Sequence, residues 1–156
     1  MARAPNSSAP TVRVLIDNRR VRHDYQLLDT FEAGLSLQGP EVKSIRMGNA
    51  NLAEAYVRLG DDGAWLVGCY VAPYAEANRE LQEPARPRRL LLHHHELHKL
   101  DRGIRQRGMT VVPVKLYLKG SRIKLEIALA RGKQQHDRRH DLKERDAKRE
   151  MERARR

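Results

Sequence analysis

The sequence predicts a mainly β protein: a small barrel of the open oligonucleotide-binding type (OB-fold), with a few short flanking helices and a basic C-terminal tail. Five or six short runs alternate apolar and polar residues with period two, the pattern of half-buried strands. Segments with helical periodicity are few and short, and several apolar runs are bounded by Gly turns, which together favour a small closed or nearly closed sheet. Residues 132–156 hold ten Lys+Arg and six Asp+Glu but only Leu142, Ala147, Met151 and Ala154 as apolar residues. Such a segment has too little to bury to offset its own ordering entropy.

In chain order, Val12–Ile16 is a first short strand. Asn18 stands where it can cap a helical turn running through His23. Tyr25–Leu37 alternates, with Leu27, Phe31, Ala33, Leu35 and Leu37 on one side. Pro40 suits the first position of a helix over Glu41–Met47 that Gly48 would close. Gly60-Asp61-Asp62-Gly63 joins Ala55–Leu59 to Ala64–Val71 as a hairpin. A Pro-containing connection from Pro73 to Arg89 leads to the apolar run Leu90–Leu92. Leu97, Leu100 and Ile104 share one face of a helix from His94 to Arg107, closed by Gly108. The last hairpin is the clearest: Val112, Val114, Leu116 and Leu118 alternate, Gly120-Ser121 makes a type II′ turn, and Ile123, Leu125, Ile127 and Leu129 return. Pro113 cannot donate to a ladder and belongs at an edge or a bulge. The expected organisation is therefore a disordered N-terminus (1–11), a folded domain (12–131) and a tail (132–156) that is disordered when free and becomes helical against a polyanion.

The 156 residues carry a net charge of +11, divided as +7 on residues 1–131 and +4 on the tail. Charge of this sign and size speaks for polyanionic partners, nucleic acid first. Only seven residues are Phe, Trp or Tyr, too few for a surface that stacks successive bases on rings. Recognition through phosphates and RNA shape suits the composition better. A single cysteine, Cys69, excludes an intramolecular disulfide and sits in an apolar run where a buried, inert thiol is expected. No run approaches 18 apolar residues and no secretory leader is present, so a cytoplasmic protein without membrane contact, acting as a monomer, is expected.

No catalytic constellation is visible: no phosphate loop, no dinucleotide motif and no acid/base pair of carboxylates. His93-His94-His95-Glu96-Leu97-His98 places His94 and His98 one helical turn apart, but Lys99 stands where a zinc-protease motif needs its second His, so neither metal nor cofactor is expected. The informative charges form three groups. Arg13, Arg19, Arg20, Arg22 and His23 cluster early; Arg86, Arg88 and Arg89 surround Pro87; Lys115, Lys119, Arg122 and Lys124 lie on the polar side of the last hairpin. Along the tail, Asp141–Arg145, Glu144–Lys148 and Glu152–Arg156 are favourable i,i+4 pairs worth about 0.2–0.5 kcal/mol each, opposed by Asp146–Glu150 and Arg149–Arg153.

Longer stretches are more specific. Asn18-Arg19-Arg20-Val21-Arg22-His23-Asp24-Tyr25, Phe31-Glu32-Ala33-Gly34-Leu35-Ser36-Leu37-Gln38-Gly39, Glu41-Val42-Lys43-Ser44, Arg88-Arg89-Leu90-Leu91-Leu92-His93, Gly132-Lys133-Gln134-Gln135-His136-Asp137-Arg138-Arg139 and Asp141-Leu142-Lys143-Glu144-Arg145 follow one another across almost the whole chain. In this order they resemble the SsrA-binding protein family (small protein B), partners of transfer-messenger RNA (tmRNA, or SsrA RNA). The resemblance implies an oligonucleotide-binding barrel and a non-enzymatic adaptor for trans-translation. Such an adaptor binds the transfer-RNA-like domain of tmRNA, promotes its aminoacylation and delivers it to stalled ribosomes. It further implies RNA contacts at Glu32, Leu91 and His93; from their charge, Arg19, Arg20, Arg22, His23, Lys43, Arg88, Arg89, Lys119 and Lys124 are expected alongside. Lys133, His136, Asp137, Arg138, Arg139, Lys143 and Arg145 would enter the decoding centre and the vacant messenger channel of the small subunit. Pro40 and the Arg138-Arg139 pair depart from the familiar family pattern, Arg138 standing where the Lys of a Lys-Arg pair is familiar. On composition alone, the rival is a generic basic barrel that binds RNA or ribosomes without a dedicated partner.

Overall fold

The computed structural model describes residues 11–78, 82–106, 108–133 and 135–154, with 135–142 as backbone only. The chain runs β1 (Val12–Asp17), α1 (Arg19–Asp24), β2 (Tyr25–Leu35), α2 (Gly39–Arg46), β3 (Ala50–Asn51), β4 (Tyr56–Gly60), β5 (Gly63–Val67), β6 (Tyr70–Val71), β7 (Arg88–Leu91), α3 (His94–Ile104), β8 (Met109–Lys119), β9 (Arg122–Gly132) and α4 (Gln135–Ala154). Seven strands make one antiparallel sheet in the order β1-β8-β9-β2-β7-β5-β4, and β3 pairs with β6 in a second, two-stranded sheet. The fold is mainly antiparallel β with few helices, as the alternation requires. Among the described residues β1 and β4 do not pair with each other, so the large sheet keeps two edges. No helix among them is long and apolar enough to cross a membrane.

The β8–β9 hairpin turns at Gly120, which takes φ +61 while Ser121, like every described non-glycine residue, does not have positive φ, the combination a type II′ turn needs. Pro113 lies in a central strand, where its missing N–H is accommodated by a register shift between Pro113 and Lys115. That bulge has a consequence for the core. Val112 and Val114 join Val21, Ala128 and Ala130 in a small cluster on one side of the sheet, whereas Leu116 joins Leu125 and Ile127 in the main core on the other. A matching shift between Leu27 and Thr30 does the same to β2. Leu27 therefore packs with the small cluster, not with Phe31, Ala33 and Leu35 as unbroken alternation predicts. One inserted residue flips every side chain beyond it, and nothing in the apolar spacing marks the insertion.

The expected strand Ala64–Val71 is also interrupted. Gly68 adopts φ +79, and a Cβ there would lie 2.5 Å from the carbonyl oxygen of Glu54. The chain turns at this glycine, leaves the large sheet and pairs β6 with β3. Gly68→Ala combines a left-handed backbone with a clash against main chain. It is expected to destabilise the protein by about 1–3 kcal/mol, read as a lower urea midpoint at unchanged slope.

Helix ends obey local chemistry. The Gln38 N–H donates to Glu41 Oε1 (2.9 Å) and the His93 N–H to Glu96 Oε1 (3.1 Å), one half of a capping box at each helix start. Gly48, with φ +79, directly follows the Met47 C-cap of α2, whereas α3 ends at an Arg105 C-cap short of the expected Arg107, and Gly108 (φ +77) lies three residues beyond it. Asn18 precedes α1 but does not cap it with its side chain. Instead its buried amide donates to Pro113 O (3.0 Å) and Leu52 O (3.3 Å), tying the bulge to the loop after β3. Leu100 is fully buried, with Leu97 and Ile104 packed beside the same core, as the spacing in α3 predicts.

Candidate nucleic-acid interface

Residues directly opposed in antiparallel strands project to the same side. The register therefore gathers residues distant in sequence on one outer face of the sheet. Glu32 opposes Glu126, which opposes Lys115; Gly34 opposes Lys124, which opposes Tyr117. At one side Asp17 meets Lys115 and Val14 meets Tyr117. At the other, Leu91 meets Gly34, and Arg89 in the same strand meets Trp65. Lys119 and Arg122 close the hairpin end as an opposed pair. Predicted residues Glu32, Arg89, Leu91, Lys119 and Lys124 thus share one surface, where Lys115, Lys119, Lys124, Arg122 and Arg89 outnumber Asp17, Glu32 and Glu126.

Helix α1 covers the remainder of this face. Val21 seals Val112, Val114, Ala128 and Ala130, and the amphipathic turn leaves Arg19, Arg20, Arg22 and His23 exposed. Arg22 Nη2 lies 3.5 Å from Asp17 Oδ1, so the α1 charges join the sheet charges beside Lys115. Arg20 reaches Glu54 (3.2 Å) and Asp24 (3.6 Å), and His23 Nδ1 lies 3.0 Å from Asp24 Oδ1. These pairs are exposed and contribute little stability, but they hold the arginines at the border of the face.

Glu32 is the centre of this arrangement. Its carboxylate accepts from the Tyr117 hydroxyl, and Lys119 Nζ lies 3.2 and 3.3 Å from its two oxygens. The Tyr117 hydrogen bond, outweighing partial burial, and the neighbouring ammonium groups hold the Glu32 carboxyl below its ordinary value. Burial and the adjacent carboxylate push the Tyr117 phenol upward, so at neutral pH it is a donor. Lys115 Nζ sits 5.7 Å from the Tyr117 ring centroid, within cation–π range. Tyr117 was not among the residues expected in the site. Its only sequence signal is its place between two outward lysines on an alternating strand.

Leu91 is 56 % exposed. It lies over Gly34, where an added Cβ would come within 3.2 Å of Leu91 Cβ. Together with Leu37, Val42, Ile123, Arg122 and Lys124 it lines a cleft of about 300 Å³ with apolar walls and a cationic rim.

Three expected residues are placed otherwise. Arg88, grouped with the surface charges from its sequence, is only 1 % exposed because β7 turns alternate residues inward. Its guanidinium pairs with Glu41 (2.5 Å) and donates to Cys69 O (2.7 Å) and Pro84 O (3.1 Å). Lys43 lies on α2, not on the sheet face, with its Nζ 5.1 Å from the Tyr74 ring centroid. His93 occupies the N-cap of α3, where its ring stacks on that of His95 at 5.5 Å. Cys69 is buried, and burial, partly offset by the Arg88 charge, pushes its thiol up to about 11, the inert state expected of it.

The tail begins where β9 ends. Gly132 opposes Tyr25, and the Lys133 N–H donates to Asp24 O (3.0 Å) before α4. His136, Asp137, Arg138 and Arg139 fall on helical backbone, and their side chains lie outside the described residues. Lys143, Arg145 and every later described side chain of α4 are exposed.

Comparison with known proteins points to one family. The family model described as SmpB protein matches residues 15–156. An SsrA-binding protein of Oleidesulfovibrio alaskensis is 49% identical over 140 residues, covering 90% of both chains. That of Symbiobacterium thermophilum is 45% identical over 155 residues, covering 99% of this chain and 96% of its own. Among solved structures, a chain from "tmRNA-SmpB: a journey to the center of the bacterial ribosome" superposes with a TM-score of 0.65 at 42% identity, over 77% of this chain and 85% of its own. Matches of this extent, over the strands that build the charged face and the helix that follows them, place the chain in the SmpB family of SsrA-binding proteins.

Proposed function

We propose that this chain is a non-enzymatic RNA-binding adaptor that holds the transfer-RNA-like domain of tmRNA, promotes its aminoacylation and carries it to stalled ribosomes for trans-translation. The observation that carries this reading is the outer sheet face, where Glu32 stands among Lys115, Lys119 and Lys124 with exposed Leu91 alongside. Lysines and arginines spaced over β7, β8, β9 and α1 suit the phosphates of a folded RNA elbow, and Glu32 suits donors on base edges or 2′-hydroxyls. The names of the relatives support both partners, SsrA RNA and the ribosome.

The same reading assigns the large sheet to the open OB type of barrel. Strand β4, at one edge, comes close to β8 near the other without pairing with it, as in a sheet curled most of the way to closure. Residues 12–131 would then be the RNA-binding domain and 132–156 a tail with a separate partner, the decoding centre and messenger channel. His136, Asp137, Arg138 and Arg139 would act there, with Lys133, Lys143 and Arg145.

Titration of the transfer-RNA-like domain of tmRNA against the protein in a gel-shift assay tests the site. Glu32→Ala is expected to weaken binding, and unchanged affinity removes Glu32 from the interface. Lys124→Ala is expected to lower affinity and reduce the slope of log K against log salt by about 1, as for one lost phosphate contact. An unrelated structured RNA bound equally well at physiological salt would show a generic basic surface instead.

A further inference from the structure

We propose that Tyr117 is a positioning residue for RNA recognition, a buried post that fixes the orientation in which Glu32 meets the RNA; this rests on the role given to Glu32 above. Tyr117 belongs to β8 and Glu32 to β2, with β9 between them. The tyrosine side chain reaches across the intervening strand, over the row occupied by Lys124 and Glu126, to place its hydroxyl on Glu32 Oε2. Tyr117 is 6 % exposed while the Glu32 side chain is 39 % exposed, so the contact joins a buried donor to a surface acceptor. Lys119 also touches both Glu32 oxygens, but on a flexible stem that is itself 38 % exposed.

A carboxylate has about four acceptor directions. Tyr117 occupies the inner one on Oε2 and leaves outward directions for donors such as a guanine edge, a cytosine amine or a 2′-hydroxyl. Without the phenol, Glu32 is held by a mobile lysine alone and turns among rotamers that point it along the surface or toward other ammonium groups. Binding would then have to restrict a side chain that is already restricted in the natural protein. Among the described residues the remaining charged groups of these two rows are Asp17, Lys115, Lys124 and Glu126, none of which is in hydrogen-bond contact with the phenol. The hydroxyl therefore serves Glu32.

The test is a double-mutant cycle on the full chain with Tyr117→Phe, Glu32→Gln and the double variant. Affinities are measured for the transfer-RNA-like domain of tmRNA and for an unrelated structured RNA, over a range of salt. Tyr117→Phe keeps the ring and changes no charge, so the salt slope should stay the same. The cognate affinity should fall about 3- to 10-fold, as for one interface side chain that must be ordered on binding. The unrelated RNA should be unaffected, and the loss should vanish when Glu32→Gln is already present. A loss that persists in the Glu32→Gln background, or that is equal for both RNAs, means a merely structural tyrosine and overturns the proposal. Weakening by Glu32→Gln without weakening by Tyr117→Phe overturns the positioning role while leaving Glu32 in the site. No effect of Glu32→Gln removes the Glu32 reading and the proposal together.

Discussion

Glu41→Ala is expected to be the most destabilising single substitution considered, at about 3–5 kcal/mol, the cost of leaving a buried charge without its partner. Glu41 accepts from Arg88 Nε and Arg86 Nη2, both at 2.5 Å, with the Arg88 side chain 1 % exposed and the Arg86 side chain 23 % exposed. The Gln38 N–H adds a third bond, so one carboxylate locks the start of α2 to the chain entering β7. After its removal Arg88 retains Cys69 O and Pro84 O, two neutral acceptors for a full positive charge inside the core. Against a typical total of about 5–15 kcal/mol this is a large fraction. At about 2–4 °C per kcal/mol for a chain of this size, the melting temperature should fall by roughly 6–20 °C. Replacing Glu41 by Leu and Arg88 by Met together should restore much of the loss, since an apolar pair of similar volume is often no worse than a buried ion pair. A decrease below about 1 kcal/mol for Glu41→Ala would show that the core does not depend on the pair.

The same carboxylate makes stability depend on pH. Burial alone would raise the Glu41 pKa, but the bonds from Arg86, the Gln38 N–H and Arg88 outweigh it and bring the value below 4.5. A depressed carboxyl pKa stabilises the fold fully above the unfolded value and loses that contribution as pH falls through the folded one. Denaturation midpoints should therefore drop as the pH is taken below about 4.5, and the drop should be smaller in Glu41→Ala.

How legible this was in the sequence varied with the type of information needed. Alternation and Gly turns located β1, β2, β7 and the two hairpins, and the Pro40 and Gly48 pair located α2, because these are local signals. The bulges at Leu27–Thr30 and Pro113–Lys115 were not legible as changes of face. Pro113 announced that something must happen, but the side on which Val112, Val114 and Leu27 end up depends on what α1 brings to cover them. Arg88 shows the same limit within the site. Arg86, Arg88 and Arg89 read as one basic cluster, yet strand alternation sends Arg88 to Glu41 and leaves Arg89 at the surface. Sequence neighbours share charge type and not necessarily a direction. Glu32 was recognisable from the family resemblance, whereas its partner Tyr117 comes from 85 residues away and depends on a register of three strands.

Truncation after Lys133 is expected to separate two activities that the intact chain joins. The cut preserves the last pair of β9 with Tyr25 and the Lys133 N–H bond to Asp24 O, so the melting temperature should not move. Affinity for the transfer-RNA-like domain of tmRNA should be retained at physiological salt, because Glu32, Leu91, Lys119 and Lys124 all lie in the sheet that remains. Only at low salt should the loss of residues 134–156, which carry a net +3, weaken binding, since their contribution to an unrelated phosphate surface is electrostatic and screened. Tagging of polypeptides on stalled ribosomes should be abolished. The reason is in α4 itself: every described side chain from Lys143 to Ala154 is exposed, and Met151, at 67 % exposure, is its one large apolar residue there. A twenty-residue helix with so little to bury is marginal in water and gains stability from a surface that neutralises its charge. In the function proposed above, an empty, RNA-lined messenger channel would supply that surface, and an occupied channel would withhold it by steric exclusion. Ordering of the tail would then report the absence of messenger. Retained tagging by the truncated chain would sink this coupling, and a loss of tmRNA affinity at physiological salt would move the tail into the RNA site.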